Sequence, residues 1–239
     1  MGIISRFPAG ATKPYIEEIY NSDGQLIDAN MHGYDAIRSY TFYGCSSLAL
    51  TTLPSGITNI GEAAFSSCSS LALTTLPSGI TNIGDLAFDG CASLALTSLP
   101  NGITSIGYYA FRSCTNLALT TLPSGITNIS GSAFENCSSL ALTSLPNGIT
   151  NIGGYAFNGC TNLALTTLPS GITKIGYGAF YGCTNLVSLT FEGTPESIAN
   201  DAFGDCENLT TINVPWAEGA VANAPWGATN ATINYGHTS

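Results

Sequence analysis

Residues 61–83 read GEAAFSSCSSLALTTLPSGITNI, and closely similar units follow one another along most of the chain. From Cys45 onward, a cysteine recurs every twenty-three residues without exception. A phenylalanine stands three positions before each cysteine. A fixed period of roughly 20 to 50 residues is the sequence signature of stacked-repeat architectures. The period therefore predicts a solenoid, whose register is carried by Cys45, Cys68, Cys91, Cys114, Cys137, Cys160, Cys183 and Cys206, and by Phe42, Phe65, Phe88, Phe111, Phe134, Phe157, Phe180 and Phe203.

The apolar residues of one unit predict how each coil is built. Ala64, Phe65 and Cys68 fit one face of a short helical turn. The following LALTTLP segment predicts a short strand, which Pro77 ends because proline cannot donate to a strand ladder. Gly79 permits a sharp corner, after which the isoleucines of the ITNI segment point back inward. Since a single coil cannot bury its apolar face alone, neighbouring coils must cover it.

The unit resembles that of the BspA-like leucine-rich-repeat family, which has an AFxxCxxL core, a strand ending in proline, and an IxxIG segment. The resemblance covers about residues 36–214. Period and resemblance together predict an α/β solenoid of the leucine-rich-repeat class. We expect eight twenty-three-residue coils, a parallel strand ladder, short helical turns, and a cap at each end. Residues 1–35 then form an N-terminal cap or attachment segment, and residues 215–239 form a C-terminal cap.

The first six units depart from the family pattern in the strand. Threonine takes the middle inward position there, and leucine stands one residue earlier. Either the strand bulges so that these leucines face the core, or they form an exposed apolar stripe, which would promote aggregation. We therefore predict a bulge that turns inward Leu50, Leu73, Leu96, Leu119, Leu142 and Leu165.

The two terminal segments break the period. Residues 215–239 contain both tryptophans, Trp216 and Trp226. This segment resembles the ends of repeat proteins encoded by phages and prophages of gut bacteria, some of them tail-associated. That resemblance implies a virion-associated or cell-surface, extracellular location. The N-terminal stretch MGIISRFPAGATKPY lacks the long apolar run of a signal peptide, so we expect no signal peptide in this chain.

Composition excludes two classes of function. Five Lys and Arg residues against 15 Asp and Glu residues give a net charge of −10, which leaves no basic surface for nucleic acid. No run of about eighteen apolar residues is present, so we expect no membrane insertion.

The sequence contains no constellation typical of a catalytic or metal site. Cysteines one coil apart have side chains that lie parallel, which gives poor disulfide geometry, and a linear column does not converge on zinc. We predict eight free, buried thiols, no metal, no cofactor and no enzymatic activity. His32 and His237 lie near opposite ends, and Asp201, Asp205 and Glu207 are interpreted as a solvated end face rather than a cation site.

Variation among the units is concentrated around the phenylalanine, at positions predicted to face outward. Seven of the eleven tyrosines lie there. Tyrosine gives rigid amphipathic contact area at low conformational-entropy cost, which is why binding loops use it. Neutral drift at unconstrained surface positions is the alternative explanation. The candidate ligand-binding residues are Tyr108, Tyr109, Tyr155, Tyr177 and Tyr181.

The strand face is the rival binding surface. Its outward column is nearly invariant and consists of Thr52, Thr75, Ser98, Thr121, Ser144 and Thr167. A threonine-rich face also raises an ice-binding hypothesis. We disfavour it because adjacent threonines of a strand are expected to point to opposite sides.

These observations favour a non-catalytic binding module, adhesin-like or receptor-binding on a phage tail. Its expected partner is a protein or glycan on a cell surface. The alternative is a structural spacer or assembly element that has no specific ligand.

Overall fold

An antiparallel sheet precedes the stack of coils. In the computed structural model, which describes residues 2–4 and 15–237, this sheet comprises β1 (Gly2–Ile4), β2 (Tyr15–Tyr20) and β3 (Leu26–His32). β3 meets the first coil, where the Ala49 amide donates to the Ile27 carbonyl at 2.9 Å. Residues 1, 5–14, 238 and 239 belong to the predicted terminal segments and lie outside the described residues, as does most of the stretch considered for a signal peptide.

Short parallel strands join successive coils through their Asn-Ile segments. The register is uniform, since Asn59 lies opposite Asn82 and Ile60 lies opposite Ile83. The predicted solenoid with a parallel ladder is therefore confirmed. The strands are β4 (Ala36–Ile37), β5 (Asn59–Ile60), β6 (Asn82–Ile83), β7 (Ser105–Ile106), β8 (Asn128–Ile129), β9 (Asn151–Ile152), β11 (Lys174–Ile175) and β13 (Ser197–Ile198).

The ladder predicted in the LALTTLP segment is continuous only toward the C-terminus. There β10 (Thr167–Leu168), β12 (Ser188–Phe191), β14 (Thr211–Asn213) and β15 (Thr232–Asn234) form a parallel sheet. In earlier coils, a single backbone hydrogen bond joins these segments at each step, as from the Ala72 amide to the Leu50 carbonyl at 3.0 Å.

The predicted bulge explains this difference and is confirmed. The six leucines are at most 5% exposed. In the first coil, Leu48 and Leu50 both face inward, and Thr51 and Thr52 then both face solvent. Two successive outward residues break the alternation that a regular strand requires, so the segment does not extend its pairing.

The segment predicted as a helical turn contains no helix in the described residues. Its amides alternate between two kinds of partner: Ala64 and Ser66 donate to carbonyls three residues earlier, whereas Phe65 and Ser67 donate to the next coil. A helix would direct each amide to a carbonyl four residues back. The segment is therefore a series of tight turns completed by the neighbouring coil. No described helix is long and apolar enough to cross a membrane.

Eight phenylalanine rings stack in one column through the core. Neighbouring ring centroids lie 5.2–5.5 Å apart, with planes within 13° of parallel. Beside them, each cysteine from Cys68 onward donates its thiol hydrogen to the carbonyl of a phenylalanine in the preceding coil, as from Cys114 to Phe88 at 3.0 Å. All eight thiols are free, and seven are buried; Cys45, in the first coil, is only partly buried.

The C-terminal segment continues the stack for a further turn, which makes about nine turns rather than the predicted eight. Trp226 lies one period after Phe203 in the sequence and is buried, and the Phe203 amide donates to its carbonyl at 2.9 Å. β15 also pairs in parallel with β14. Trp216 packs edge-on against Phe191, with ring centroids 5.2 Å apart. The two indoles thus pack against Phe191 and against each other at the C-terminal end of the stack.

The Asn-Ile ladder of the described coils is interrupted between β7 and β8. In the neighbouring coils, a glycine amide donates to the isoleucine carbonyl of the preceding coil, as from Gly107 to Ile83 at 2.9 Å. Ser130 replaces this glycine, and its hydroxyl donates to the Ile106 carbonyl at 2.7 Å. A Cβ at Gly107 would lie 2.4 Å from the Asp85 amide nitrogen, so glycine permits the close approach of two coils. Ser130 therefore occupies, through its hydroxyl, the carbonyl to which the backbone amide bonds in the neighbouring coils.

Candidate functional site

Tyrosines dominate the exposed apolar surface of the described residues. The exposed large hydrophobic side chains there are all tyrosines, apart from Val187. All five candidate residues belong to this set, from Tyr108 at 57% exposed to Tyr181 at 36%. They therefore face outward, in agreement with the phase of the repeat.

Tyr109 and Tyr155 occupy an unusual backbone conformation. The residue two positions before the phenylalanine is left-handed in every coil, with φ of 58° at Tyr109 and 57° at Tyr155. Bulky residues avoid this region because their Cβ crowds the following carbonyl oxygen. The stack imposes it, since the amide at this position pairs with the next coil, as from Tyr155 to the Tyr177 carbonyl at 2.9 Å.

Tyr108 and Tyr177 flank an open cleft of about 480 Å³. This volume lies within the range of small-molecule sites, about 300–1,000 Å³. The two tyrosines occupy the same repeat position three coils apart, and the intervening coils have Gly131 and Gly154 there. Polar side chains on the lining are supplied by Asn128, Ser130, Asn151 and Lys174.

Two tyrosines lie on the lining of the cleft, and the equivalent position in each of the two coils between them is a glycine. The Tyr108 ring leans over Gly131, where an added Cβ would lie 3.3 Å from its Cε1 atom. A Cβ at Gly154 would meet the Tyr177 backbone oxygen at 3.4 Å, an ordinary contact. Three coil steps separate the two tyrosine positions, and each step measures 5.4–5.5 Å at the phenylalanine column. The Tyr108 hydroxyl has no hydrogen-bond partner among the described residues.

Tyr177 separates this cleft from a second one of about 420 Å³. Its ring meets Tyr155 edge-on, with centroids 5.5 Å apart, and its hydroxyl donates to Asp201 at 3.2 Å. Tyr181 donates to Asp205 across the second cleft. These hydrogen bonds are the main reason that the pKa of both phenols is raised, so each tyrosine stays neutral. The lining of the second cleft carries three carboxylates, from Asp201, Asp205 and Glu207.

Tyr109 lies outside both clefts. The Arg112 guanidinium sits over its ring, 4.8 Å from the centroid. Arg112 also donates two hydrogen bonds to Asp89, at 2.8 and 2.9 Å, and this pairing raises the pKa of Arg112. The structure thus brings Tyr108, Tyr177 and Tyr181 to two adjoining clefts. Tyr155 lies outside both linings, against the Tyr177 ring, and Tyr109 lies beside the Arg112–Asp89 ion pair.

The rival strand face presents two adjacent polar columns in the early coils. Thr51 and Thr52 are both exposed, and so are Thr74 and Thr75 in the next coil. The expectation that such neighbours point to opposite sides is wrong here, because the bulge turns the preceding leucine inward. A cleft of about 350 Å³ lies at one end of this face, between β3 and the first coil.

The sequence analysis missed the polar residues of the first cleft. Lys174 takes the place that Asn128 and Asn151 hold in earlier coils, and Ser130 takes the place of a glycine. Asparagine and glycine are the most frequent residues at these two repeat positions, and the departure from them is the signal that was available. Lys174 makes no ion pair with a described residue, and it is the one cationic residue on the cleft lining.

The described residues hold neither a metal-binding group nor an activated thiol. No three His, Cys, Asp or Glu side chains are placed to bind an ion within that part of the chain. Burial raises the pKa of the inner cysteines, to about 12 for Cys68 and Cys206. Because the thiolate is the reactive form of cysteine, these thiols are kept unreactive.

Comparison with known proteins places the repeat in a family. A family model of the BspA type leucine rich repeat region matches residues 35–164 and 139–219. A leucine rich repeat protein of T. pallidum is 28% identical, with 86% of this chain and 91% of that chain covered and a TM-score of 0.49. The pneumococcal vaccine antigen PcpA is 17% identical over 91% of this chain and 61% of its own, with a TM-score of 0.55, and shows a likeness of fold. A leucine rich cell surface protein of Faecalibacterium prausnitzii is 21% identical, with 97% of each chain covered and a TM-score of 0.46. No curated protein matches the chain significantly.

The matched segments together run from residue 35 to residue 219, which is well over half of the 239-residue chain. The chain therefore belongs to the BspA-type leucine-rich repeat family.

Proposed function

We propose that this protein is a non-catalytic binding module that recognises a protein or glycan on a cell surface. The contact surface is the tyrosine edge, defined here as Tyr108, Tyr177 and Tyr181 with the two clefts that they line, together with Tyr155, which packs against Tyr177. Membership of a family of surface repeat proteins agrees with a binding or structural role. The observation that carries the proposal is that tyrosines make up nearly all of the large exposed apolar side chains in the described residues.

The chemistry of tyrosine suits such a surface. Each ring offers an apolar face, and each hydroxyl can donate or accept a hydrogen bond. Contiguous exposed apolar surface in a soluble protein marks an interaction site. On this edge, Tyr177 and Tyr181 are held by carboxylates of the next coil, so the rings are already oriented before a ligand arrives. Such preorganisation reduces the entropy lost on binding.

Two biological settings fit this activity. The module could act as an adhesin on a bacterial surface. It could also act as a receptor-binding element of a phage tail, the setting that the resemblance of residues 215–239 implies. In both settings the stack presents the tyrosine edge and performs no chemistry.

A cell-binding assay tests the proposal. Labelled protein is sedimented with a panel of gut bacterial and animal cells, and bound protein is measured for the native chain and three variants. Replacing all five candidates, Tyr108, Tyr109, Tyr155, Tyr177 and Tyr181, with alanine should abolish binding and leave the thermal melt nearly unchanged, because every one of these side chains is exposed. Tyr43→Ala, an exposed tyrosine of the first coil, and Thr121→Lys, on the strand face, should both bind as the native chain does.

The second candidate function, a structural spacer, is favoured by the near identity of successive coils on the strand face. A spacer should sediment with none of the cells. Loss of binding in Thr121→Lys with retention in the five-tyrosine variant would instead move the site to the strand face.

A further inference from the structure

We infer that the cleft between Tyr108 and Tyr177 binds a short oligosaccharide that carries a carboxylate. Its sugar rings lie between the two tyrosines, and its carboxylate pairs with Lys174. This inference rests on the proposed function and assigns a ligand class to one part of the tyrosine edge.

The shape of the cleft favours sugar rings. Tyr108 and Tyr177 lie on its lining, separated by three coil steps of 5.4–5.5 Å each. Gly131 and Gly154 add no side chain between them, and because the Tyr108 ring leans over Gly131, the open part of the floor lies at Gly154. A pyranose presents flat C–H faces that stack on aromatic rings and hydroxyls that need polar partners. The open, elongated floor suits a short chain of such rings better than a single compact group.

The polar groups are placed to bind sugar hydroxyls. Asn151 donates to the side-chain oxygen of Asn128, and Asn128 donates to the Ser130 hydroxyl at 3.4 Å. These bonds leave the Asn151 side-chain oxygen without a donor among the described residues. The Tyr108 hydroxyl is likewise unpaired within that part of the chain. Polar groups that the protein does not use internally are therefore present on the lining of this cleft.

Charge selects an anionic sugar over a neutral one. The whole chain has a net charge of −10, yet the lining of this cleft contains Lys174 and no Asp or Glu. The adjoining cleft beyond Tyr177 is lined by three carboxylates and no cation. An anion is thus attracted to one side of Tyr177 and repelled from the other, which fixes the direction in which an acidic oligosaccharide can lie.

The departures from the repeat coincide at this cleft. Ser130 opens the ladder, Gly131 and Gly154 clear the floor, and Lys174 replaces an asparagine, all within three consecutive coils. Other coils carry Glu62, Asp85 or Tyr108 at the position of the two glycines. Single departures occur elsewhere in these columns, as at Arg38 and Ser105, whereas Ser130 and Lys174 lie together with the two glycines on one lining.

Titration calorimetry with defined sugars tests this inference. The probes are a hyaluronan tetrasaccharide, whose acid is a uronate, sialyllactose, whose acid is a sialate, and neutral lactose. The native chain should bind at least one of the two acidic sugars and bind lactose more weakly, by up to about fivefold, as expected for the loss of one exposed charge pair. Which acidic sugar binds identifies the source of the carboxylate.

Three variants locate the binding. Gly154→Tyr should abolish it by filling the floor; its backbone is not left-handed, and the same position holds tyrosine in two other coils, so the fold should be retained. Lys174→Gln should weaken binding of the acidic sugar by up to about fivefold and remove the preference over lactose. Tyr43→Ala, far from the cleft, is the matched control and should bind normally.

The outcomes separate this inference from the proposed function. Equal binding of acidic and neutral sugars, or binding that Gly154→Tyr does not change, would overturn the inference. Cell binding that depends on the tyrosines without binding of any of the three sugars would also overturn it, in favour of a protein epitope, and would leave the proposed function standing. Absence of both sugar binding and cell binding would overturn the two together.

Discussion

At the residue scale, two positions around the phenylalanine of each coil have a left-handed backbone conformation. Residues that tolerate this conformation are favoured at only one of the two positions. The position two residues after the phenylalanine is occupied by Gly44, Ser67, Gly90, Ser113, Asn136, Gly159, Gly182 and Asp205. Glycine, asparagine and aspartate tolerate this conformation best. The position two residues before the phenylalanine instead includes Leu86, Tyr109 and Tyr155. Strained backbone of this kind persists where the surrounding structure enforces it, as the stacked coils do here.

Exchanges at the first of these positions should change stability in opposite directions. Gly90 has φ of 73°, and a Cβ there would meet nothing closer than 3.6 Å, so Gly90→Ala should lose about 1–2 kcal/mol through backbone strain alone. Ser67, exposed and with φ of 63°, should gain up to about 1 kcal/mol on replacement by glycine. Chemical denaturation of both variants measures the effect. Similar losses in both would contradict a left-handed requirement at this position.

At the element scale, the interruption at Ser130 divides the Asn-Ile ladder into two four-stranded sheets. In a solenoid, stability is the sum of the coils' own stabilities and the interfaces between neighbours. A missing backbone bond therefore weakens one interface specifically. The coils on its two sides supply Tyr108 and Gly131, which lie at the same cleft, so the weak interface and the candidate site coincide.

Ser130→Gly should join the two ladders. The new amide should then bond to the Ile106 carbonyl, as Gly107 bonds to Ile83, and raise the free energy of unfolding by about 1 kcal/mol. Hydrogen exchange should show slower exchange of the amide at residue 130.

Ser130→Ala is the matched control, because it keeps the Cβ and removes the hydroxyl. Ala199 shows that the ladder can accommodate a Cβ at this position, since its amide bonds to Ile175 at 2.9 Å. Protection in the alanine variant equal to that in the glycine variant assigns the interruption to the hydroxyl. If neither variant gains protection, Ser130 is not its cause.

At the scale of the whole molecule, the core is a column of aromatic rings beside a column of thiols. Each buried thiol donates to the carbonyl of a phenylalanine in the preceding coil. Burial is the main cause that raises the pKa of all seven inner cysteines. The folded state therefore favours the protonated thiol, whereas an unfolded chain releases the proton near pH 8.5.

Alkaline pH should therefore destabilise the fold steeply. Because the folded pKa is raised, the stabilisation is complete below pH about 8.5 and is lost as pH rises toward the folded values, about 12 for Cys68 and Cys206. Each buried thiol contributes up to about 1.4 kcal/mol per pH unit in this window. Guanidinium melts at pH 7.5, 8.5 and 9.5 under reductant measure the slope. Cys137→Ala should lower the slope by about one thiol's share, and an unchanged slope would show that this thiol ionises in the folded state.

The sequence by itself determined the period, the parallel stacking and most of the inward positions. Each coil buries its apolar face only against similar coils, so Phe111, Cys114 and Ile106 have the same surroundings as their equivalents in the other coils. A strict period in the sequence therefore identifies the inward positions directly. The same reasoning placed Leu119 and its equivalents inside, because a surface stripe of leucines would be unfavourable. It also placed the tyrosines outside. The ninth turn was within reach, since Trp226 falls on the phenylalanine register.

Only the tertiary structure decided the path of the turn segment and the cleft. The spacing of Ala64, Phe65 and Cys68 fits a helical turn as well as stacked tight turns, and the choice depends on carbonyls that a neighbouring coil supplies. The cleft likewise joins Tyr108 and Lys174 from coils far apart in sequence. A repeat pattern specifies what each coil shares with the others. The stacking of the coils determines which departures from the pattern meet on one surface. The hydrogen bonds that set the backbone path come from different coils, and so do the side chains that line the cavity.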